Sequence, residues 1–331
     1  GDTFRATLIA TALAHNSAGD RGGGLLVHAP QSGSITLVIT RSTVTDNQAA
    51  SGGGLDVYLN NGGAADVELK NTTVSDNRAV AFDGGGANIS AARLSQADVT
   101  LEGVTLCWNE ARWNGGALAT WATSDSGAAL TLTNCTMSGN QTERSGGGLF
   151  ASRSTVRLVH TTVSDNYADA DRDDEGDGGG IRASGGDFRA EGTLVAQNTD
   201  RSSSLGSIHP DISGDVDGAA YNLIGTTTGG DGTAGWEPDI VSSTPGLTGL
   251  AESGGETETH RLLPGSPAVD AVPQAACTLA ADQRGKPRHR RIQPARDRHA
   301  PGPPMPDAIS ALHRDQRSGL GMLRESVDDL V

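Results

Sequence analysis

Apolar residues recur at every second position in short runs, and the runs themselves recur about every 30 residues. Seven asparagines mark the period, Asn16, Asn47, Asn77, Asn109, Asn140, Asn166 and Asn198, spaced by 31, 30, 32, 31, 26 and 32 residues. Counting back from each Asn aligns apolar columns. Three residues before it stand Leu13, Val44, Val74, Leu106, Met137, Val163 and Val195; eight before stand Leu8, Ile39, Leu69, Leu101, Leu132, Leu158 and Ala190. Ten before stand Ala6, Leu37, Val67, Val99, Leu130, Val156 and Phe188. A further set follows a glycine run in each period, as in Leu55/Val57, Leu118/Thr120 and Ile181/Ala183. Alternation of this kind predicts strands with one buried face, whereas an amphipathic helix would place its apolar residues at i, i+3 and i+4.

Three short strands per period, stacked on themselves, predict an all-β chain: a β-solenoid, or parallel β-helix, of about seven coils with aligned apolar columns as its core. At a coil spacing of ~4.8 Å, seven coils extend roughly 34 Å. The glycine runs, such as Gly52–Gly54 and Gly146–Gly148, and the asparagines fall where a coil must turn a corner, and both residue types tolerate left-handed backbone there. Stacked Asn side chains can also hydrogen-bond from coil to coil as a ladder. No Lys and helix follow the glycines, so a phosphate-cradling loop is not indicated.

Composition agrees with a thin repeated core. Gly makes up 46 of 331 residues, and aromatics only 3 %. The net charge of −15 is uneven: residues 286–331 hold 9 basic against 6 acidic residues, a net of +3, which leaves −18 for the rest. A surface so acidic repels phosphate backbones and argues against nucleic acid as a partner. Three cysteines without a C-x-x-C pair make neither a disulfide framework nor a zinc site. Cys135 is expected in a small inward column with Thr72, Val104 and Thr161, and a Cys107–Cys135 disulfide is not expected. No apolar run is long enough to span a membrane. The chain opens at Gly1 inside a repeat, as a mature or excised fragment would.

The repeats T-V-T-D-N, T-V-S-D-N and T-M-S-G-N, each followed by G-G-G-[LAI], resemble those of bacterial right-handed parallel β-helix surface proteins and polymorphic outer-membrane-protein repeats. "YNLIG" at Tyr221–Gly225, the stretch Thr244–Ala271, Cys277 and "DQRGKPR" at Asp282–Arg288 resemble the choice-of-anchor Q module that ends many of them. The resemblance implies a right-handed helix, a secreted or cell-surface bacterial location, and no catalytic residues to carry over. It divides the chain into β-helix repeats at 1–205, a choice-of-anchor Q-like part continuing the solenoid at 206–288, and an Arg/Pro-rich tail at 289–331. The tail departs from the family's C-D-[IL]-G-A-[FY]-E-like ending, as a shifted reading frame or a divergent end would, and Gly319–Leu330 is its one candidate helix.

The chemistry-bearing residues concentrate in one place. Asp169, Asp171, Asp173, Asp174, Glu175 and Asp177 put six acids in nine positions, within an insertion between Asn166 and Gly178. They are candidate calcium ligands, although neither an EF-hand loop nor a repeat-toxin nonapeptide is matched; a solvated bulging loop explains them as well. Asp173-Asp174 supplies the D-D that a polygalacturonase would use, but no N-T-D precedes it. Trp108, Trp113 and Trp121 fall within one coil as a candidate sugar-stacking platform. The outward column of Thr43/Thr45, Thr73/Ser75, Thr105/Cys107, Thr136/Ser138 and Thr162/Ser164 forms a T-x-[TS] strip, expected to lie flat and open, as an ice-binding face would. Three readings therefore stand: a non-enzymatic surface rod for adhesion, display or glycan binding; a carbohydrate-active lyase or hydrolase on the same scaffold; and an ice-binding strip.

Overall fold

The computed structural model describes residues 2–203, 208–214, 216, 219–227, 240–273, 275–277 and 279–286. The chain divides into two units, Gly1–His289 and Arg290–Val331. The second, with the tail and its candidate helix, lies outside the described residues.

The first unit is an all-β parallel solenoid of about seven turns, with no helix among its described residues. Among the described residues its strands fall into three parallel sheets of 13, 9 and 6 strands. Each turn follows the same course. A seven-residue strand such as Ala64–Lys70 enters the first sheet, a three-residue strand such as Thr73–Ser75 the second, and a two-residue strand such as Arg78–Ala79 the third. The strand after the glycines, such as Ala87–Ala91, returns to the first sheet. The two-residue strand follows the Asn and is too short for alternation to reveal it.

The predicted columns are the register of the sheets. Leu37 pairs with Val67, Val67 with Val99, Val99 with Leu130, and Leu130 with Val156. Val44, Val74, Leu106, Met137, Val163 and Val195 pair in the same way along the second sheet. These side chains join one continuous core in which Leu106, Leu132, Met137 and Leu158 are fully buried. A one-residue slip would turn a whole column to solvent, so burial fixes the register.

The irregular spacings have a local cause. In the coil between Asn140 and Asn166 the corner is missing, and Leu149–Val159 runs as one eleven-residue strand where the preceding coil uses Leu118–Ala122 and Gly127–Thr133. That shortens the period to 26 residues. The next coil keeps the long strand, Ile181–Glu191, but carries the acidic insertion, which restores the period to 32.

Asparagine and glycine interlock at the corners. Nδ2 of Asn77 donates to Asn109 Oδ1 at 3.0 Å and to the Val44 carbonyl at 2.8 Å, while its backbone N–H donates to the same Asn109 Oδ1 at 3.1 Å. The same three-bond rung repeats at Asn47, Asn109, Asn140 and Asn166, all fully buried. Glycine makes room for it: a Cβ on Gly54 would stand 3.0 Å from the Asn77 amide and 2.6 Å from the Gly86 carbonyl. Gly84, at φ +73°, supplies the left-handed turn.

Of the stretch read as further coils, Ile212–Gly214, Leu223–Ile224 and Ile240–Val241 extend the sheets. Beyond them the chain corrects the expectation. The described residues of 246–286 double back over the outer face of the second sheet, bridging antiparallel on themselves at Leu247–Leu262 and Ala251–Thr259. Pro245 precedes this stretch and Pro264, Pro267 and Pro273 interrupt it, and proline cannot donate into a sheet ladder. The segment docks through side chains instead. Thr257 Oγ1 donates to the Gly103 carbonyl at 3.0 Å, and Gln283 bonds Thr105 Oγ1 and Thr136 Oγ1 at 3.0 and 2.8 Å.

Candidate functional sites

The start of the acidic insertion is tied to the preceding coil, the Asp169 and Ala170 N–H groups donating to the Arg144 and Thr142 carbonyls at 3.1 and 2.9 Å. Asp169 opens it at φ +50°, its Oδ1 accepting the Asp173 N–H at 3.0 Å. Gly176 lets the loop close: a Cβ there would come 2.6 Å from the Asp169 Cβ. Asp169 is thereby fully buried, and its Oδ2 has no hydrogen-bond partner. Burial raises the Asp169 carboxyl above the usual range, and the charges of Asp173 and Asp171 act in the same direction.

The six acids separate into two sets. Ligand oxygens of Asp169, Asp171 and Asp173 lie within 4.8 Å of one another. The other three are engaged elsewhere. Asp174 accepts from the Ser203 N–H and hydroxyl at 2.6 and 2.9 Å, and Glu175 pairs with Arg144 at 2.9 Å. Asp177 pairs with Arg182 at 2.9 Å, accepts from Ser213 Oγ at 2.6 Å and contacts His209 Nδ1. Asp200 and His209 gather around Asp177, a grouping no period announces because His209 falls in no repeated column. Asp200 is itself satisfied by the N–H groups of Ser202 and His209, at 3.0 and 2.9 Å.

The tryptophans do not form a platform. Trp108 follows a strand of the second sheet, Trp113 follows one of the third, and Trp121 lies in Leu118–Ala122 of the first. They stand on successive sides of one coil, because three sheets separate residues that are near in sequence. Trp113 instead meets Phe82 edge-on with centroids 5.1 Å apart, and Arg144 lies 5.6 Å from its ring.

The T-x-[TS] strip is corrected as well. It faces away from the core as expected, but its middle is covered: Thr105, Thr136, Ser138 and Ser164 are buried, while Thr43 is exposed. Gln283, Thr257 and His260 sit on it, with His260 Nε2 2.9 Å from Ser138 Oγ. A flat, open plane for ice is absent there. Where the doubled-back segment leaves the sheet it encloses a cleft of about 400 Å³, lined among others by His160, Tyr221, His260, Asp270, Cys277 and Arg284.

A buried ion pair lies on the outward side of the first sheet. Asp56 is fully enclosed, paired with Arg21 at 3.1 Å and accepting from Asn88 Nδ2 at 3.2 Å. Burial pushes its carboxyl up to about 6 against the pull of Arg21. The Arg21 guanidinium also lies 4.0 Å over the Tyr58 ring, on which His28 stacks. The only trace in sequence is one Asp between core positions, where the next coil has Asn88 and the one after it Ala119. Cys107 and Cys135 are buried free thiols, each pushed up to about 12 by burial.

Comparison with protein-family models, curated proteins and solved structures found no match for this chain. Among the described residues, no helix is long and apolar enough to cross a membrane.

Proposed function

We propose that the chain is a non-enzymatic, secreted or cell-surface β-solenoid of bacterial origin that presents a rigid face for adhesion, display or glycan binding. One observation carries this reading: the coils keep their inward columns apolar and export their variation outward. Beside the buried column Leu37, Val67, Val99, Leu130 and Val156 runs an outward column of Val38, Glu68, Thr100, Thr131, Arg157 and Arg189. Ion pairs link coils across such columns, Lys70 with Glu102 at 3.6 Å and Arg157 with Glu191 at 3.4 Å. A backbone that stacks the same way whatever its outer residues suits a surface whose sequence is free to match a partner. The resemblance of Tyr221–Gly225 and Asp282–Arg288 to the choice-of-anchor Q module supports the surface location and the bacterial origin.

The competing reading is a carbohydrate-active enzyme, and the cleft beside His260 and Asp270 is where its substrate would sit. The deciding experiment incubates the purified full chain with immobilised acidic and neutral polysaccharides and with bacterial envelopes. Retention without release of reducing or unsaturated ends is the expected result. Catalytic release of either kind of end overturns the proposal.

A further inference from the structure

We propose that the turn Asp169–Asp173 is a calcium site, its protein ligands being carboxylate oxygens of Asp169, Asp171 and Asp173. The inference does not depend on the reading of the solenoid as a display scaffold.

The three acids alternate along the chain, and the turn draws one oxygen from each to within 4.8 Å of the others. Acid clusters of this kind are common on surfaces and prove little alone. The second observation is the state of Asp169. Its side chain is sealed from solvent, Oδ1 accepts the Asp173 N–H, and Oδ2 has no partner at all. A buried carboxylate oxygen without a donor is costly, and two further carboxylates beside it add like-charge repulsion. Beyond the backbone N–H groups of Asp173 and Asp174, the neighbouring donors among the described residues are engaged elsewhere. Arg144 is paired with Glu175, Ser203 with Asp174, and Arg182 with Asp177. Arg172, on the same turn, has an exposed side chain. A cation among the three carboxylates removes both penalties together.

Calcium fits this donor set better than the alternatives. All three ligands are hard oxygens, Asp171 and Asp173 are exposed so that water can complete a shell of six to eight, and the turn is irregular rather than octahedral. Zinc prefers nitrogen and sulfur ligands. The neighbouring group of Asp177, Asp200 and His209 is a poorer host, because its carboxylates already accept from Arg182, Ser213, Ser202 and the His209 N–H. Gly176 completes the design: a Cβ there would come 2.6 Å from the Asp169 Cβ and 2.7 Å from its backbone N, so only a residue without Cβ lets the loop press onto Asp169. The six extra residues of this coil thus build a pocket at a corner that the other coils turn with glycine alone.

The test uses the full chain, with calcium as ligand and terbium as luminescent probe. Tyr167, two residues before Asp169, is the sensitiser. The expected result is sensitised terbium emission that calcium displaces, and a rise in melting temperature of about 5 °C when calcium exceeds its dissociation constant a hundredfold. The double variant Asp171→Asn/Asp173→Asn changes two exposed side chains and relieves their repulsion with Asp169; without calcium it should melt no lower than the parent, and it should bind at least about tenfold more weakly. Absence of both emission and melting shift at about 10 mM calcium, above the range of weak extracellular sites, overturns the proposal. So does a double variant that binds as tightly as the parent, which places the ion elsewhere.

Discussion

Asn198 donates its side-chain amide to Asp211 Oδ1 at 3.0 Å, and its backbone N–H reaches the same oxygen at 3.2 Å. Asp211 lies in the column of the third glycine, its carbonyl accepting from Ile181 just as Gly180 accepts from Leu149. In the earlier coils that glycine leaves space for the Asn of the next coil. Here no eighth Asn follows, and the Asp side chain occupies the space itself. An Asn would be called on to donate to the Val195 carbonyl, but the Gly225 N–H already fills that role at 2.9 Å. The second oxygen of Asp211 accepts from the Thr226 N–H at 2.8 Å. An acceptor-only residue therefore ends the ladder. Asp211→Asn should destabilise the fold by about 1–3 kcal/mol, because either orientation of the amide turns an NH₂ group against a donor. Urea unfolding checks it, and an unchanged midpoint would remove Asp211 from the role of ladder terminus.

The rungs should be unequal. Asn109→Ala strips the acceptor from both Asn77 donors and the donor from the Val74 carbonyl, all within the buried stack. A loss of about 3 kcal/mol or more is expected. Asn16 is exposed at the first rung, so its donations to Asn47 compete with water, and Asn16→Ala should cost less than about 1 kcal/mol. Equal losses at the two positions would mean that the ladder contributes nothing through desolvation.

Most of the fold was legible because the solenoid repeats its physics in every coil. Val44, Val74 and Leu106 recur at one offset from an Asn since each must fill the same slot in the core. What was not legible happens once. The course of residues 246–286 is set by single contacts such as Gln283 on Thr136, more than a hundred residues away in sequence, and no period announces them. The candidate sites divide along the same line. Asp169, Asp171 and Asp173 could be read as a group because they are local, whereas Ser203, Arg144, Ser213 and His209, which draw Asp174, Glu175 and Asp177 away from it, arrive from neighbouring coils. Asp56 escaped notice because a single Asp among strand residues carries no pattern; only the enclosure of its outward face makes it unusual.

That enclosure predicts a pH response. The Asp56 carboxyl stands at about 6 in the folded chain against 3.8 for the free group. The folded state therefore holds its proton more tightly than the unfolded state. The resulting stability is fully present below the unfolded value and is lost as pH rises through about 6. Asp83, Asp169 and Asp211 are shifted upward by burial in the same direction. Melting temperature should rise as pH falls from about 7.5 to 5, with Asp56 contributing up to about 3 kcal/mol over its full titration. In Asp56→Asn that rise should shrink markedly. A melting temperature that falls steadily over the same interval in the parent would contradict the upward shifts.

The doubled-back segment should open without the solenoid unfolding. Gln283 is the centre of its attachment, donating to Thr105 and Thr257 and accepting from Thr136, with Asn134 bonded to the Ala281 carbonyl beside it. Beneath it the second sheet is complete, since Thr105–Cys107 pairs with strands on both sides. Gln283→Ala takes one bond from each of three hydroxyls, of which Thr105 and Thr257 keep their donations to the Glu258 and Gly103 carbonyls, and it removes no core side chain. Segment and solenoid are then expected to separate in stability, as units held by few contacts do. Hydrogen exchange should accelerate at least about tenfold in the amides of 246–263, equivalent to about 1.4 kcal/mol of lost protection. The amides of Leu106 and Met137, bonded within the sheet, should keep their parent rates. If those two accelerate equally, the segment is an integral part of the solenoid's cooperative unit and the Thr strip beneath it is never exposed on its own.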